Sequence, residues 1–198
     1  CALPISLNKR EFMNSKNLSI YDDSSQIIFI TGGTKSGKSE FAEHLAKQIK
    51  NLTYVALSEN NNGDQGWEKK INKHKKRRPK DWKLIETTDL LSTLSQENSP
   101  LLIDSIGGFV MESIGKEDNE WLKKMSLLIT LLKKRKNTII IVGEQVGWSL
   151  VSEYKIGNTF IERIGELQKK ITKISKDNWL AINGRAIKID EISLDIPS

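Results

Sequence analysis

The stretch Ile27-Ile28-Phe29-Ile30-Thr31-Gly32-Gly33-Thr34-Lys35-Ser36-Gly37-Lys38-Ser39 decides the fold. Four apolar β-formers lead into a glycine-rich turn, and the residues from Lys38 onward open a helix with Phe41, Leu45 and Ile49 at helical spacing. The pattern G-x-x-x-x-G-K-[ST] is complete, framed by Gly32 and Gly37 and closed by Lys38 and Ser39. Glycines let the backbone curl, so that the N–H groups across Gly33, Thr34, Lys35, Ser36 and Gly37 turn inward toward phosphate oxygens. The helix N-terminus adds partial positive charge to the same concavity. In such a loop Lys38 reaches the β- and γ-phosphates and the Ser39 hydroxyl ligates Mg²⁺. Gly32 to Ser39 is therefore read as a P-loop, a nucleotide-phosphate site.

Working outward, the pattern of strand, loop and helix repeats. A first strand is expected over 26–31, the P-loop helix over 38–50 and a second strand over 52–56, at a spacing suited to a right-handed βαβ unit. Further strands are expected over 101–104 and 138–142, with a helix over 121–134 whose Trp121, Leu122, Met125, Leu128, Ile129 and Leu132 share one face. Lys133, Lys134, Arg135 and Lys136 close that helix at its negative dipole end. Phe160, Ile164, Leu167, Ile171 and Ile174 mark a last amphipathic helix. The segments 179–182 and 186–189, joined by Asn183-Gly184, read as a β-hairpin. The sum is an α/β fold: a mostly parallel sheet with helices on both faces and a C-terminal antiparallel hairpin strand.

The chain has 198 residues and 37% hydrophobic content, enough for one well-buried α/β domain and short for two. Residues 26–192 are expected to form that nucleotide-binding domain, and the polar, aperiodic residues 1–25 a poorly ordered arm. A chain opening on Cys1 reads as a fragment or a mis-set start, with Met13 as a candidate start. One cysteine excludes an internal disulfide framework and suits a reducing, cytoplasmic compartment. No apolar run approaches the length of a membrane span. The net charge of +6 suits a protein that handles anions.

Two further stretches carry chemistry. Leu101-Leu102-Ile103-Asp104 is an apolar strand tipped by an acid, the form of a Walker B element, in which Asp104 holds Mg²⁺ or its water shell opposite Ser39. The plain alternative is a strand-end aspartate that caps the next turn. The second stretch runs from Trp67 to Trp82. It gathers Lys69, Lys70, Lys73, Lys75, Lys76, Arg77, Arg78 and Lys80 with no acid among them. Trp67, Ile71 and His74 fall at i, i+4 and i+7, so His74 lies on an apolar helical face, and Pro79 ends that helix. From the residues alone this run reads as a solvated basic face with His74 in the core, as a nucleic-acid patch or nuclear signal, or as a catalytic segment built on His74.

Together these segments resemble the bifunctional adenosylcobinamide kinase/adenosylcobinamide-phosphate guanylyltransferase family of cobalamin biosynthesis. The resemblance rests on Gly32 to Ser39 for its G-G-x-x-S-G-K-S loop and on Tyr54-Val55-Ala56-Leu57-Ser58 for the end of its second strand. Its most specific element is H-x-x-x-R-P-x-x-W, here His74, Arg78, Pro79 and Trp82, followed by Glu86. Asp104 ends the matching acid-tipped strand. Glu144-Gln145-Val146-Gly147 stands where the family has Asn-Glu-Val-Gly, and Phe160 to Gly165 opens the late helix. The likeness covers residues 27–189.

What the resemblance implies is a RecA-like P-loop NTPase domain that acts in two steps. ATP or GTP phosphorylates the aminopropanol hydroxyl of adenosylcobinamide, with Lys38, Mg²⁺, Ser39 and Asp104 at the transferred group. His74 then attacks the α-phosphate of GTP, carries GMP, and passes it on to give adenosylcobinamide-GDP. By the same likeness Lys75, Lys76, Arg77 and Arg78 hold the triphosphate. Ala56, Leu57, Ser58 and Glu86 contact the nucleotide, and the enzyme is a homotrimer. Two rivals are a P-loop kinase that lacks guanylyl transfer and a nucleic-acid-binding module. The second lacks a nucleic-acid fold signature and aromatics interleaved with the basic run, so no nucleic-acid partner is expected.

Overall fold

The computed structural model describes residues 26–57, 79, 81–148 and 152–196. The expected N-terminal arm, Ser58 and the basic run through Arg78, His74 included, lie outside the described residues. The elements in chain order are β1 (Ile27–Gly32), α1 (Lys38–Ala46), β2 (Thr53–Leu57), β3 (Lys83–Thr87), α2 (Leu90–Gln96), β4 (Leu101–Asp104), α3 (Gly107–Glu112), α4 (Asp118–Lys134), β5 (Ile139–Glu144), α5 (Lys155–Ile174), β6 (Asp177–Ile182) and β7 (Arg185–Lys188). A 3-10 turn, Ile189–Glu191, follows.

The strands form one sheet in the order β3-β2-β4-β5-β1-β6-β7, parallel throughout except for the β6–β7 pair. This is the mostly parallel P-loop NTPase sheet with its antiparallel edge strand. β1 and β2 are not neighbours, because β5 and β4 lie between them. The central strands are buried on both sides and read as unbroken apolar runs for that reason. One face, through Ile28, Ile30, Leu102, Ile140 and Val142, packs Ala42, Leu45 and Ala46 of α1 together with Tyr54. The other, through Ile27, Phe29, Leu101, Ile103, Ile139 and Ile141, packs α2 to α5, with Leu94, Phe109, Trp121, Leu128 and Leu167 at its centre. Among the described residues no helix is long and apolar enough to cross a membrane.

Three elements were not legible in the pattern: the edge strand β3 and the short helices α2 and α3. α2 starts on Asp89, whose carboxylate accepts from Ser92 N at 3.1 Å and Ser92 Oγ at 2.6 Å. Those two bonds hold the Asp89 carboxyl below its ordinary value. α1 stops at Ala46, short of the expected residue 50. Arg135 does not simply face the end of α4. Its guanidinium turns back to donate to the carbonyls of Leu94 at 3.1 Å, Ser99 at 2.5 Å and Glu97, tying the helix end to the α2–β4 loop.

Candidate functional site

The C-terminal ends of β1, β4 and β5 converge, and the P-loop lies across them. Its path requires a left-handed backbone at Lys35 (φ 58°) and Gly37 (φ 96°), the second of which only glycine adopts without cost. Gly32 is demanded by contact: a Cβ there would lie 2.4 Å from the Ala181 carbonyl oxygen and 2.5 Å from Ser36 Oγ. Two backbone bonds pin the loop from outside. Gln145 N donates to the Gly32 carbonyl at 3.0 Å, and Gly184 N, at the tip of the hairpin, donates to the Ser36 carbonyl at 2.9 Å. The Asn183-Gly184 turn, with φ of 49° and 73°, therefore touches the phosphate loop as well as reversing the chain. Within the loop the Lys38 ammonium donates to the Gly33 carbonyl at 3.2 Å, lying across the concavity.

The acid side is built by β4, β5 and β2. Ser39 Oγ donates to Asp104 Oδ1 at 3.3 Å, so two oxygen donors 65 residues apart in sequence are brought together beside the loop. The other oxygen, Asp104 Oδ2, accepts from the buried Tyr54 hydroxyl at 2.7 Å. Glu144 ends β5, the strand between Asp104 and the P-loop. Its carboxylate accepts from Ser105 Oγ and, at 3.1 Å, from Gly107 N. A Cβ on Gly107 would meet Glu144 Oε1 at 2.8 Å, so a side chain there would require the Glu144 carboxylate to shift. Burial pushes the Glu144 carboxyl above its ordinary value; the Ser105 bond and the Lys38 charge oppose that shift, and Asp104 adds to it.

Mg²⁺ takes oxygen ligands and keeps waters, bound through one or two protein groups plus substrate phosphates. A hydroxyl and a carboxylate converging beside a phosphate loop fit that demand.

Gly32 through Ser39 and Asp104 thus gather in one place. Ala56 pairs in register with Asp104, one strand over from it, and Leu57 and Glu86 lie beyond Ala56. Leu57 is buried beneath Gly108, whose added Cβ would lie 2.2 Å from the Leu57 carbonyl oxygen. Glu86 is exposed on the edge strand β3, in register with Ala56, four strand spacings of about 4.8 Å from β1. Of the H-x-x-x-R-P-x-x-W element, Pro79 and Trp82 are described. Trp82 N donates to the Pro79 carbonyl at 3.3 Å, and the Trp82 ring stacks on Tyr54 with centroids 6.4 Å apart and planes 24° from parallel. Tyr54 and Glu144 fall within stretches quoted for the family resemblance, but the sequence alone assigns them no part in the site. The available signal was their position, one inside the strand that pairs with the Asp104 strand and one at the tip of the strand beside it.

A family model described as CobU, cobinamide kinase / cobinamide phosphate guanyltransferase, matches residues 28–189. The chain belongs to that family. Its members are transferases, and this chain is a P-loop transferase among them. The chain is 23% identical over 181 residues to the bifunctional adenosylcobalamin biosynthesis protein CobU of Escherichia coli K12, covering 82% of this chain and 99% of that one. It is 25% identical over 181 residues to the protein of the same name from Salmonella typhimurium LT2, with the same coverage. Among solved structures, the assembled ATPase EscN of enteropathogenic E. coli superposes with a TM-score of 0.50 at 13% identity. That match covers 79% of this chain and 42% of EscN, and it speaks for the fold alone.

Proposed function

We propose that this protein phosphorylates adenosylcobinamide at its aminopropanol hydroxyl and then converts the phosphate to adenosylcobinamide-GDP. The observation that carries the reading is the convergence of Lys38, Ser39 and Asp104 beside the P-loop in a chain that matches the cobinamide kinase / guanyltransferase family over 28–189.

In the first step the backbone N–H groups of Gly33 to Gly37 hold the β- and γ-phosphates of ATP or GTP, and Lys38 leaves the Gly33 carbonyl to meet the bridging and γ-oxygens. Ser39 and Asp104 would hold Mg²⁺, which neutralises charge on the transferred group. The substrate hydroxyl oxygen bonds to the γ-phosphorus and gives up its proton to solvent as the bond to the β–γ bridging oxygen breaks, and the nucleoside diphosphate leaves. Positioning and charge supply most of what this transfer needs.

In the second step an imidazole nitrogen of neutral His74 bonds to the α-phosphorus of GTP, and pyrophosphate leaves. The phosphate oxygen of adenosylcobinamide phosphate then displaces His74 and takes the GMP. Histidine suits this role because it is nucleophilic near neutral pH and its phosphoramidate is labile. Lys75, Lys76, Arg77 and Arg78 neutralise the triphosphate, while Ala56, Leu57, Ser58 and Glu86 contact the nucleotide.

The reading takes residues 26–192 as one catalytic domain, the enzyme as cytoplasmic, and its assembly as a homotrimer. Light scattering tests the last point against the 22.5 kDa chain mass. The activity is tested by incubating the purified protein with adenosylcobinamide, GTP and Mg²⁺ and following products by mass. Successive appearance of adenosylcobinamide phosphate and adenosylcobinamide-GDP is expected. Phosphate that accumulates with no GDP product would reduce the protein to a kinase, and no product at all would remove both activities.

A further inference from the structure

Asp104 is held by donors from two elements. Ser39 on α1 occupies Oδ1 and Tyr54 on β2 occupies Oδ2. Tyr54 is 2% exposed, and β2 pairs directly with β4, so its ring has little room to move. A charged acceptor makes the 2.7 Å phenol bond stronger than a neutral one would be. On its other side the ring lies against Trp82, within ordinary stacking distance. Trp82 ends the turn from Pro79, the last four residues of the segment that begins at His74. A tyrosine that only filled the core would bury its ring and send its hydroxyl to any nearby carbonyl. This hydroxyl goes to the acid that faces the P-loop serine.

We propose that Tyr54 is a positioning residue: its hydroxyl fixes the Asp104 carboxylate for metal-assisted nucleotide binding, and Trp82 holds the Tyr54 ring in place to do so. The inference rests on the reading of Asp104 as a metal-side acid. It gives the Trp82 end of the His74 segment a physical link to the acid that serves phosphoryl transfer, running through one stacked ring and one hydrogen bond.

The test measures the affinity of a fluorescent GTP analogue, once with Mg²⁺ and once with EDTA, for the full chain and for Tyr54→Phe, Trp82→Ala and Asp104→Asn. Wild type is expected to bind more tightly with Mg²⁺. Tyr54→Phe keeps the ring and its packing. It is expected to match wild type in EDTA while losing about tenfold of the Mg²⁺-dependent gain, the usual cost of removing a hydrogen bond to a charged group. Trp82→Ala should lose a smaller part of the same gain, and an undiminished gain there would remove Trp82 from the proposal. A Tyr54→Phe protein with the full gain, or with equal losses in Mg²⁺ and EDTA, would overturn the role of Tyr54. Asp104→Asn separates the two failures. If it abolishes the gain while Tyr54→Phe does not, only the present inference falls. If Asp104→Asn keeps the full gain, the metal-side reading of Asp104 falls and takes the inference with it.

Discussion

The two flanks of the phosphate loop are built from different materials. On the β5–β4 side it faces side chains that carry charge: Asp104 at hydrogen-bond distance from Ser39, and Glu144 seated on Ser105 and Gly107. On the β6–β7 side it meets backbone, with the Ala181 carbonyl packed under Gly32 and Gly184 N bonded to the Ser36 carbonyl. The first flank can act on a phosphate and a cation; the second can only hold the loop in shape. Substitutions on the acid flank should therefore change turnover with little change in fold. Those on the hairpin flank should change stability first and activity in proportion.

The largest effect is expected where the loop itself supplies charge. Lys38→Ala should lower phosphoryl transfer by about 10²–10³-fold, the range for removing one preorganised charge-stabilising group, with its thermal midpoint unmoved. Steady-state kinetics beside a melting curve checks both halves. An unfolded variant would break the contrast between the flanks.

Glu144 comes next, and it sharpens the contrast because it joins charge to structure. Glu144→Ala removes the acceptors of Ser105 Oγ and Gly107 N and should lower turnover about tenfold. Glu144→Gln can still accept from Gly107 N and can donate to Ser105 Oγ, so it should retain most activity. The sign of its stability effect follows from the raised carboxyl. A folded-state value above the ordinary 4.5 means that the ionised form costs folding free energy. That cost is absent below pH 4.5 and is paid as pH rises through the folded value. Glu144→Gln should thus melt above wild type near neutral pH, and the gap should close on acidification. A gap that widened toward low pH would contradict this environment for Glu144.

The smallest effect belongs to the hairpin. Gly184→Ala places a side chain at φ 73°, which costs about 1–2 kcal/mol. For a chain of this size each kcal/mol moves the midpoint by about 2–4 °C. GTP affinity measured well below the melting range should change little, because no group that meets the ligand has been altered.

How much of this could be read in advance follows local spacing. The P-loop is contiguous, and its lysine, serine and glycines were all readable. Asp104 was readable too, since an acid at the tip of an apolar strand is a local sign. The roles of Tyr54 and Glu144 were not, although both fell in quoted motif stretches, because each meets the Asp104 region across 39 to 50 residues of chain and only the sheet order brings them there. α3 was missed for a related reason. It opens Gly107-Gly108, and glycine has low helix propensity. What secures it is tertiary: the Glu144 carboxylate on Gly107 N and the close seat of Gly108 on the Leu57 carbonyl. β3 is a five-residue edge strand with three exposed positions, so it carried little periodic signal. The hairpin turn was legible as a turn, but its second task of holding Ser36 was not, since that bond joins residues far apart in the chain.

The most direct measurement is intact mass spectrometry of the protein after incubation with GTP and Mg²⁺, beside a His74→Ala variant. A mass gain of one GMP that is lost on mild acid and missing from the variant is the expected result. Unchanged mass in a protein that still phosphorylates adenosylcobinamide would contradict guanylyl transfer through His74, and an adduct that persists in His74→Ala would place the nucleophile elsewhere.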